Sequence, residues 1–231
     1  MVSVLPRALT ASTSAEITDA SGQKVTENPV QARCGRDSLD YLSGKLSGQH
    51  RFPDWSRAFG NLAAVGPTAR QKAAGQSWVA CVITPVNGAG ATPYQGSLKN
   101  ILAVGKLPSG FATCAESVEG LDTQAWGWNS PCDSNHQVEI FGVTILTSES
   151  KQSQLNHDCT ALVRLTTRMA DPSAGGQLAV RAVVIHTDPT TGAIAPGLGS
   201  NGAATCIVQS FGQRELKGSL VGVDAGPVPW A

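Results

Sequence analysis

The sequence predicts an α+β protein built from two similar disulfide-stapled repeats, each a helix packed on a mostly antiparallel sheet. Three observations predict it. Six cysteines, Cys34, Cys81, Cys114, Cys132, Cys159 and Cys206, are spread along 231 residues with no Cys-x-x-Cys pair among them. Two of their intervals are identical, since Cys34 to Cys81 and Cys159 to Cys206 both span 47 residues. Each interval closes in a strand-like run, Trp78-Val-Ala-Cys81-Val-Ile83 and Ala204-Thr-Cys206-Ile-Val208, followed by Gly96-Ser97-Leu98 or Gly218-Ser219-Leu220. The cysteines of the two copies are offset by 125 residues; the gap from cysteine to glycine is 15 in one copy and 12 in the other. A loop absorbs that difference. The reading is therefore a duplicated unit: an N-terminally incomplete first repeat over residues 1–105, a complete second repeat over 106–223, and a tail over 224–231.

Composition narrows the class. Hydrophobic residues make up 41% of the chain, which suits a packed core, while only 15% are charged, against about a quarter in an average protein. Lys+Arg and Asp+Glu are equal at 17 each, so no net field exists to draw nucleic acid or an anionic membrane. No apolar stretch reaches the roughly 18 residues that a spanning helix needs. The opening Met1-Val-Ser-Val-Leu-Pro-Arg7 has neither the basic start nor the apolar length of a signal peptide. A targeting segment is expected to be absent from this chain, either removed or upstream of it.

In order along the chain, Val2 to Leu5 reads as a strand fragment stopped by Pro6, and residues 8–24 as a loop rich in Ala, Ser, Thr and Asp. Asn28 is placed to cap a helix with Pro29 at its first position, where the missing N–H costs nothing. Val30, Cys34 and Tyr41 then share a face. Residues 47–68 read as an irregular connection, 67–74 as a short helix and 78–85 as a strand. Residues 99–109 mark the boundary, with turns at Gly105 and Pro108, and 111–115 form a short strand carrying Cys114. The run 138–146 is apolar on both faces from Ile140 onward, the pattern of a strand central in its sheet. A helix over 150–168 sets Leu155, Cys159, Leu162 and Met169 on one stripe. Strands at 178–186 and 205–209 follow, separated by a Gly/Pro-rich hairpin or loop over 188–202. The tail, with two prolines, reads as loosely held.

Each helix thus carries a cysteine on its inner face and each later strand carries another. The pairing expected is Cys34–Cys81, Cys159–Cys206 and, by remainder, Cys114–Cys132; the alternative is six buried free thiols. Disulfides persist in oxidising compartments, which places the protein outside the cytoplasm, secreted or on the outer face of the cell envelope.

From Cys114 to Gly222 the chain resembles the septum-formation domain family, extracytoplasmic α+β domains of actinobacterial envelope proteins. The resemblance is carried by Cys114, by Cys132 with His136 four residues on, by Glu139-Ile-Phe-Gly142 opening a strand, by the helix cysteine Cys159 and strand cysteine Cys206, and by the closing Lys217-Gly-Ser-Leu-Val-Gly222. The family usually has proline before the histidine, where this chain has Asn135. The first half looks like a second copy that begins part-way through, with Val2 to Leu5 standing where Phe141 to Thr144 stand. The resemblance implies an envelope or division setting, often with a membrane or lipid anchor, and leaves any catalytic activity open.

His136 and Glu139 are the candidate ligand residues. If both lay in the strand they would face opposite sides; a His136 in the preceding turn lets them converge, and His157 with Asp158 is the other partner to consider. The reading preferred on residue type is that His136 caps a turn beside a disulfide. Trp126 and Trp128, inside the Cys114–Cys132 loop, form either a partner surface or a packing pair. Zinc and redox motifs are weak, and no metal or cofactor is expected. The chain has no Gly-x-Ser-x-Gly elbow, with Ser200 in Leu198-Gly-Ser-Asn-Gly202, and neither His-Glu-x-x-His nor a phosphate loop. Three function classes follow. The first is a non-enzymatic module binding an envelope protein, glycan or lipid. The alternatives are an exported hydrolase whose site is not motif-borne, or a secreted protein acting on host surfaces.

Overall fold

The computed structural model describes residues 15–18, 24–27, 34, 41–42, 55–57, 59–86, 96–118, 130–187, 194–196, 202–212 and 214–231. Within these residues the chain forms strands β1 (Ala15–Thr18), β2 (Lys24–Glu27), β3 (Ser56–Arg57), β4 (Asn61–Val65), β5 (Ala80–Thr84), β6 (Thr113–Ala115), β7 (Ser130–Pro131), β8 (Val138–Ile145), β9 (Leu178–Thr187), β10 (Ile194–Pro196) and β11 (Gly202–Ser210). The helices are α1 (Ala69–Ala73), α2 (Ile101–Val104) and α3 (Gln152–Thr167). Cys34, Tyr41 and Leu42 are also helical. The class is α+β, and every strand pairing is antiparallel.

The main sheet runs β10-β9-β11-β8-β6-β7, and β3 also pairs with β8. β8 is central, as its two-sided apolar run requires. One edge lies along β11; the other is shared end to end by β6, at Val138 to Ile140, and by β3, at Gly142 and Val143. Two smaller ladders, β1 with β2 and β4 with β5, complete the strands. Between Cys206 and Ile207 the β11–β8 register shifts, leaving Phe141 as the unpaired residue of β8. Phe141 is fully buried and meets Phe59 edge to face, ring centroids 6.4 Å apart.

Helix α3 covers one face of this sheet. Leu155, Cys159, Leu162 and Val163 are buried at helical spacing and join Phe141, Ala182, Cys206 and Val208 in one core. Each such large apolar side chain contributes roughly 1.5–3 kcal/mol by leaving water. The helix also completes the sheet chemically. Asn156 Oδ1 accepts the Ala182 N–H at 2.9 Å, and Gln152 Nε2 donates to the Ala182 carbonyl at 2.9 Å. Ala182 lies opposite Cys206, and Cys206 is bonded to Cys159 one turn along α3. A small residue there lets the helix approach. α3 ends with Arg168 in the left-handed region, and its Thr166 and Thr167 carbonyls accept the N–H groups of Gly222 and Asp224.

All three disulfides are formed: Cys34–Cys81, Cys114–Cys132 and Cys159–Cys206. No cysteine is free. Leu42, Trp55, Phe59, Ile83, Leu98 and Leu102 from the first half are buried in the same core as the second half.

Several expectations need correction. Residues 8–24 were expected as a loop, yet β1 and the start of β2 lie there, held by cross-strand hydrogen bonding rather than by an apolar pattern. Residues 47–68, expected to be irregular, contain β3 and β4; over 188–202, read as a hairpin or loop, β10 pairs antiparallel with β9, in line with the hairpin alternative. The tail is not loose. Lys217 N–H donates to Pro229 O at 2.7 Å, Ala231 N–H to Glu215 O at 2.9 Å, and the Arg214 guanidinium stacks over Trp230 at 4.8 Å. Prolines exclude a regular strand there but leave these carbonyls free to accept. The strand fragment at Val2 to Leu5 and the helix start at Asn28 and Pro29 lie outside the described residues.

Candidate functional site

The stretch from Cys132 to Gly142 is assembled from distant parts of the chain. β7 lies against β6, with Ser130 opposite Cys114, which brings Cys132 within bonding reach of Cys114. A polar turn follows. Asn135 Nδ2 donates to the Glu215 carboxylate at 2.7 Å, and His136 exchanges backbone hydrogen bonds with Leu216 at 3.0 and 2.7 Å. His136 therefore precedes β8 rather than lying in it.

Its ring is interior, 1% exposed. Nδ1 lies 2.8 Å from the Ser134 carbonyl. A carbonyl only accepts, so Nδ1 carries the proton and Nε2 the lone pair. Nε2 is buried without a hydrogen-bond partner. Burial lowers the His136 pKa below 6.5, while the Ser134 carbonyl and the Glu215 charge pull the other way. The neutral imidazole is the resident form at neutral pH. The turn-capping reading of His136 matches this geometry.

Glu139 has a separate setting. It is fully buried on β8, opposite Cys114 on one side and Val208 on the other. Ser219 Oγ donates to its Oε1 at 2.6 Å and the Leu220 N–H to its Oε2 at 2.7 Å. Ser219 Oγ in turn accepts the Val221 N–H at 3.0 Å. Burial raises the Glu139 pKa to about 7, against the lowering effect of both hydrogen bonds and of Lys106. The carboxyl thus ties the strand to the closing Lys217-to-Gly222 segment. Gly222, at φ +74°, packs so tightly on the Gly105 carbonyl that a Cβ would stand 2.1 Å from its oxygen.

These positions place both candidate ligand residues, His136 and Glu139, away from the surface. Both are interior, because the apolar run that launches β8 carries them under the C-terminal segment. Each is committed to a different partner, and none of their hydrogen bonds involves His157 or Asp158. His157 is exposed on α3, and Asp158 accepts from Gln154 on the same helix. Trp126 and Trp128 lie outside the described residues. Sequence reasoning missed Ser219 and the Leu220 amide as partners of Glu139. The available signal was a carboxylate inside a strand predicted to be central, which demands a buried donor.

Comparison with protein-family models, with curated proteins and with solved structures gave no match. The site is therefore read from its own geometry.

One grouping has metal-ligand chemistry. Cys114, Cys132 and His136 each offer a donor atom, and the three atoms lie within 4.8 Å of one another, all buried. The sequence spacing gave only a weak zinc signal, because Cys114 arrives from another strand. The open surface lies elsewhere. A cleft of about 920 Å³ runs between the end of β8 and the start of α3, lined by Trp55, Ile145, Glu149, Lys151 and Asp158 among others. Ile145 is 75% exposed there.

Proposed function

We propose that this chain is an extracytoplasmic cell-envelope domain of the septum-formation type, working as a binding or scaffolding module rather than as an enzyme. The observation that carries the reading is covalent: all six cysteines are paired, each bond joining a buried pair. Such bonds are kept where the surroundings are oxidising. No described helix is long and apolar enough to cross a membrane.

The residues that carry the family resemblance also hold one another. Cys132 is bonded to Cys114, His136 is paired with Leu216, and Glu139 grips Ser219 and Leu220. Apart from the unpaired Nε2 of His136, these groups are spent on internal bonds, as in a scaffold. The same commitment speaks against His136 and Glu139 as a hydrolytic pair, since neither has a free face toward solvent.

Duplication belongs to the proposal too. In the first half Ser97 Oγ accepts the Lys99 N–H, as Ser219 Oγ accepts that of Val221. Asn100, at φ 58°, donates its N–H to Tyr41 O, as Gly222 does to Thr166 O. Ile101 N–H donates to Leu98 O at 3.2 Å and Val223 N–H to Leu220 O at 3.2 Å. Tyr41 and Thr166 each stand seven residues beyond the helix cysteine. Three matched hydrogen bonds and a matched left-handed residue support two copies of one plan, fused through a common core.

The test has two arms. Peptide mapping of the protein from its own cells, without reduction, should recover Cys34–Cys81 and Cys159–Cys206 as cross-linked pairs; free thiols at those four positions in folded protein would overturn the location. Binding to an isolated envelope fraction should fall at least tenfold on Ile145→Glu with an unchanged unfolding midpoint. Unaltered binding would remove the cleft from the reading.

A further inference from the structure

Three donor atoms in the interior are arranged as a ligand set. The sulfurs of Cys114 and Cys132 and a ring nitrogen of His136 lie within 4.8 Å of one another, and the three residues are at most 1% exposed. Among the described residues no other disulfide has a third such donor beside it. His136 is the informative member. Its Nδ1–H is held by the Ser134 carbonyl, which fixes the lone pair on Nε2, and Nε2 is buried without a hydrogen-bond partner. A buried polar atom left unpaired calls for an explanation. A neutral imidazole with one N–H tied to a backbone carbonyl and the other nitrogen bare is the form in which histidine ligates metals.

We infer that the reduced Cys114–Cys132 pair and His136 form a three-ligand site for a zinc-type divalent cation, of which the disulfide is the metal-free, oxidised form. Two thiolates and an imidazole suit a borderline-soft ion, leaving a fourth position for water. With metal–sulfur distances of about 2.3 Å and metal–nitrogen distances of about 2.0 Å, tetrahedral donors stand roughly 3.5 Å apart. The sulfurs must separate from their bond, and the nitrogen need move by little more than about an ångström. The balance is simple. Two thiols lose two protons as the cation binds both sulfurs, and Nε2 contributes its lone pair with no proton change. A newly synthesised chain already carries the thiols. From the disulfide, opening takes two electrons and two protons, supplied by a dithiol that is itself oxidised to a disulfide. Cys114–Cys132 closes 18 residues, against 47 for each of the others, so it has the least loop-closure entropy holding it shut.

The full chain is treated with a water-soluble phosphine until alkylation and mass spectrometry show Cys114 and Cys132 open, then titrated with Co(II). One ion per chain should bind with thiolate charge-transfer and tetrahedral d–d bands that Zn(II) displaces. His136→Gln should weaken binding by more than about tenfold, and the double variant Cys114→Ser/Cys132→Ser should abolish the bands. Zn(II) should slow alkylation of Cys114 and Cys132 at least tenfold. If reduction loosens the fold, Zn(II) should restore the native circular dichroism. Absence of the bands from a natively folded reduced chain would overturn the site, as would their persistence in the double variant or failure of Zn(II) to restore a loosened fold.

Discussion

Replacing Glu139 by glutamine should remove a pH dependence that the buried carboxyl imposes on folding. In the folded chain this group holds its proton up to about pH 7, whereas its ordinary value is 4.5. Between those limits the native state binds more protons than the unfolded state, so stability falls as pH rises and levels off above about 7. At about 1.4 kcal/mol per pH unit the interval amounts to about 3 kcal/mol. Glutamine reproduces the protonated carboxyl: its carbonyl can accept the Leu220 N–H while its amide donates to Ser219 Oγ. The assay is urea unfolding followed by tryptophan fluorescence from pH 5 to 8, with disulfides intact. His136 acts in the opposite sense. Its folded value lies below 6.5, so it adds stability as pH rises toward 6.5, and the difference between wild type and Glu139→Gln isolates the carboxyl. That difference should move by about 3 kcal/mol in favour of glutamine between pH 5 and 8. A difference that stays flat, or that favours wild type as pH rises, would refute the assignment.

Three further outcomes follow from the packing. Gly222→Ala should cost about 2–4 kcal/mol, because a left-handed φ of +74° and a Cβ 2.1 Å from the Gly105 oxygen act together. Gly175→Ala, at φ +69° with nothing within 4 Å, should cost only about 1–2 kcal/mol in the same thermal melts. Asn156→Ala should destabilise by about 1–3 kcal/mol by leaving the Ala182 N–H without its acceptor, and Asn156→Asp, which keeps that acceptor, should recover most of the loss in urea titrations. Removing Cys159–Cys206 as a serine pair should cost about 4 kcal/mol and removing Cys114–Cys132 about 3, by the loop lengths of 47 and 18 residues.

The elements that sequence made legible are those whose burial is written locally. The run from Val138 onward is apolar on both faces because β8 has a strand on each edge and cores on both sides. Leu155, Cys159 and Leu162 declare α3 by spacing alone. β3 and β4 carry no such mark. Ser56 and Arg57 are strand residues only because Val143 and Gly142, far along the chain, offer them an edge. β4 is Ala-rich and largely exposed, so its conformation is fixed by its partner β5. The candidate site divides the same way. The disulfide pairing was readable through the equal spacing, and the pairs formed are the pairs expected. The grip of Ser219 on Glu139 spans 80 residues, and nothing local tells a buried acid which hydroxyl it will meet. Cys114 and His136 share a neighbourhood only through the β6–β8 register.

The stitch of Ser56 and Arg57 onto β8 bears on how the molecule can be dissected. A fragment starting near residue 106 would keep α3, two of the disulfides and most of the main sheet. It would also strip the cover from Gly142 and Val143 and leave their edge as a bare row of donors and acceptors beside the exposed Ile145. Such an edge is a template for another chain. The excised piece should self-associate through that strand, and a short peptide spanning Trp55 to Phe59, added in trans, should cap it and return it to a monomer.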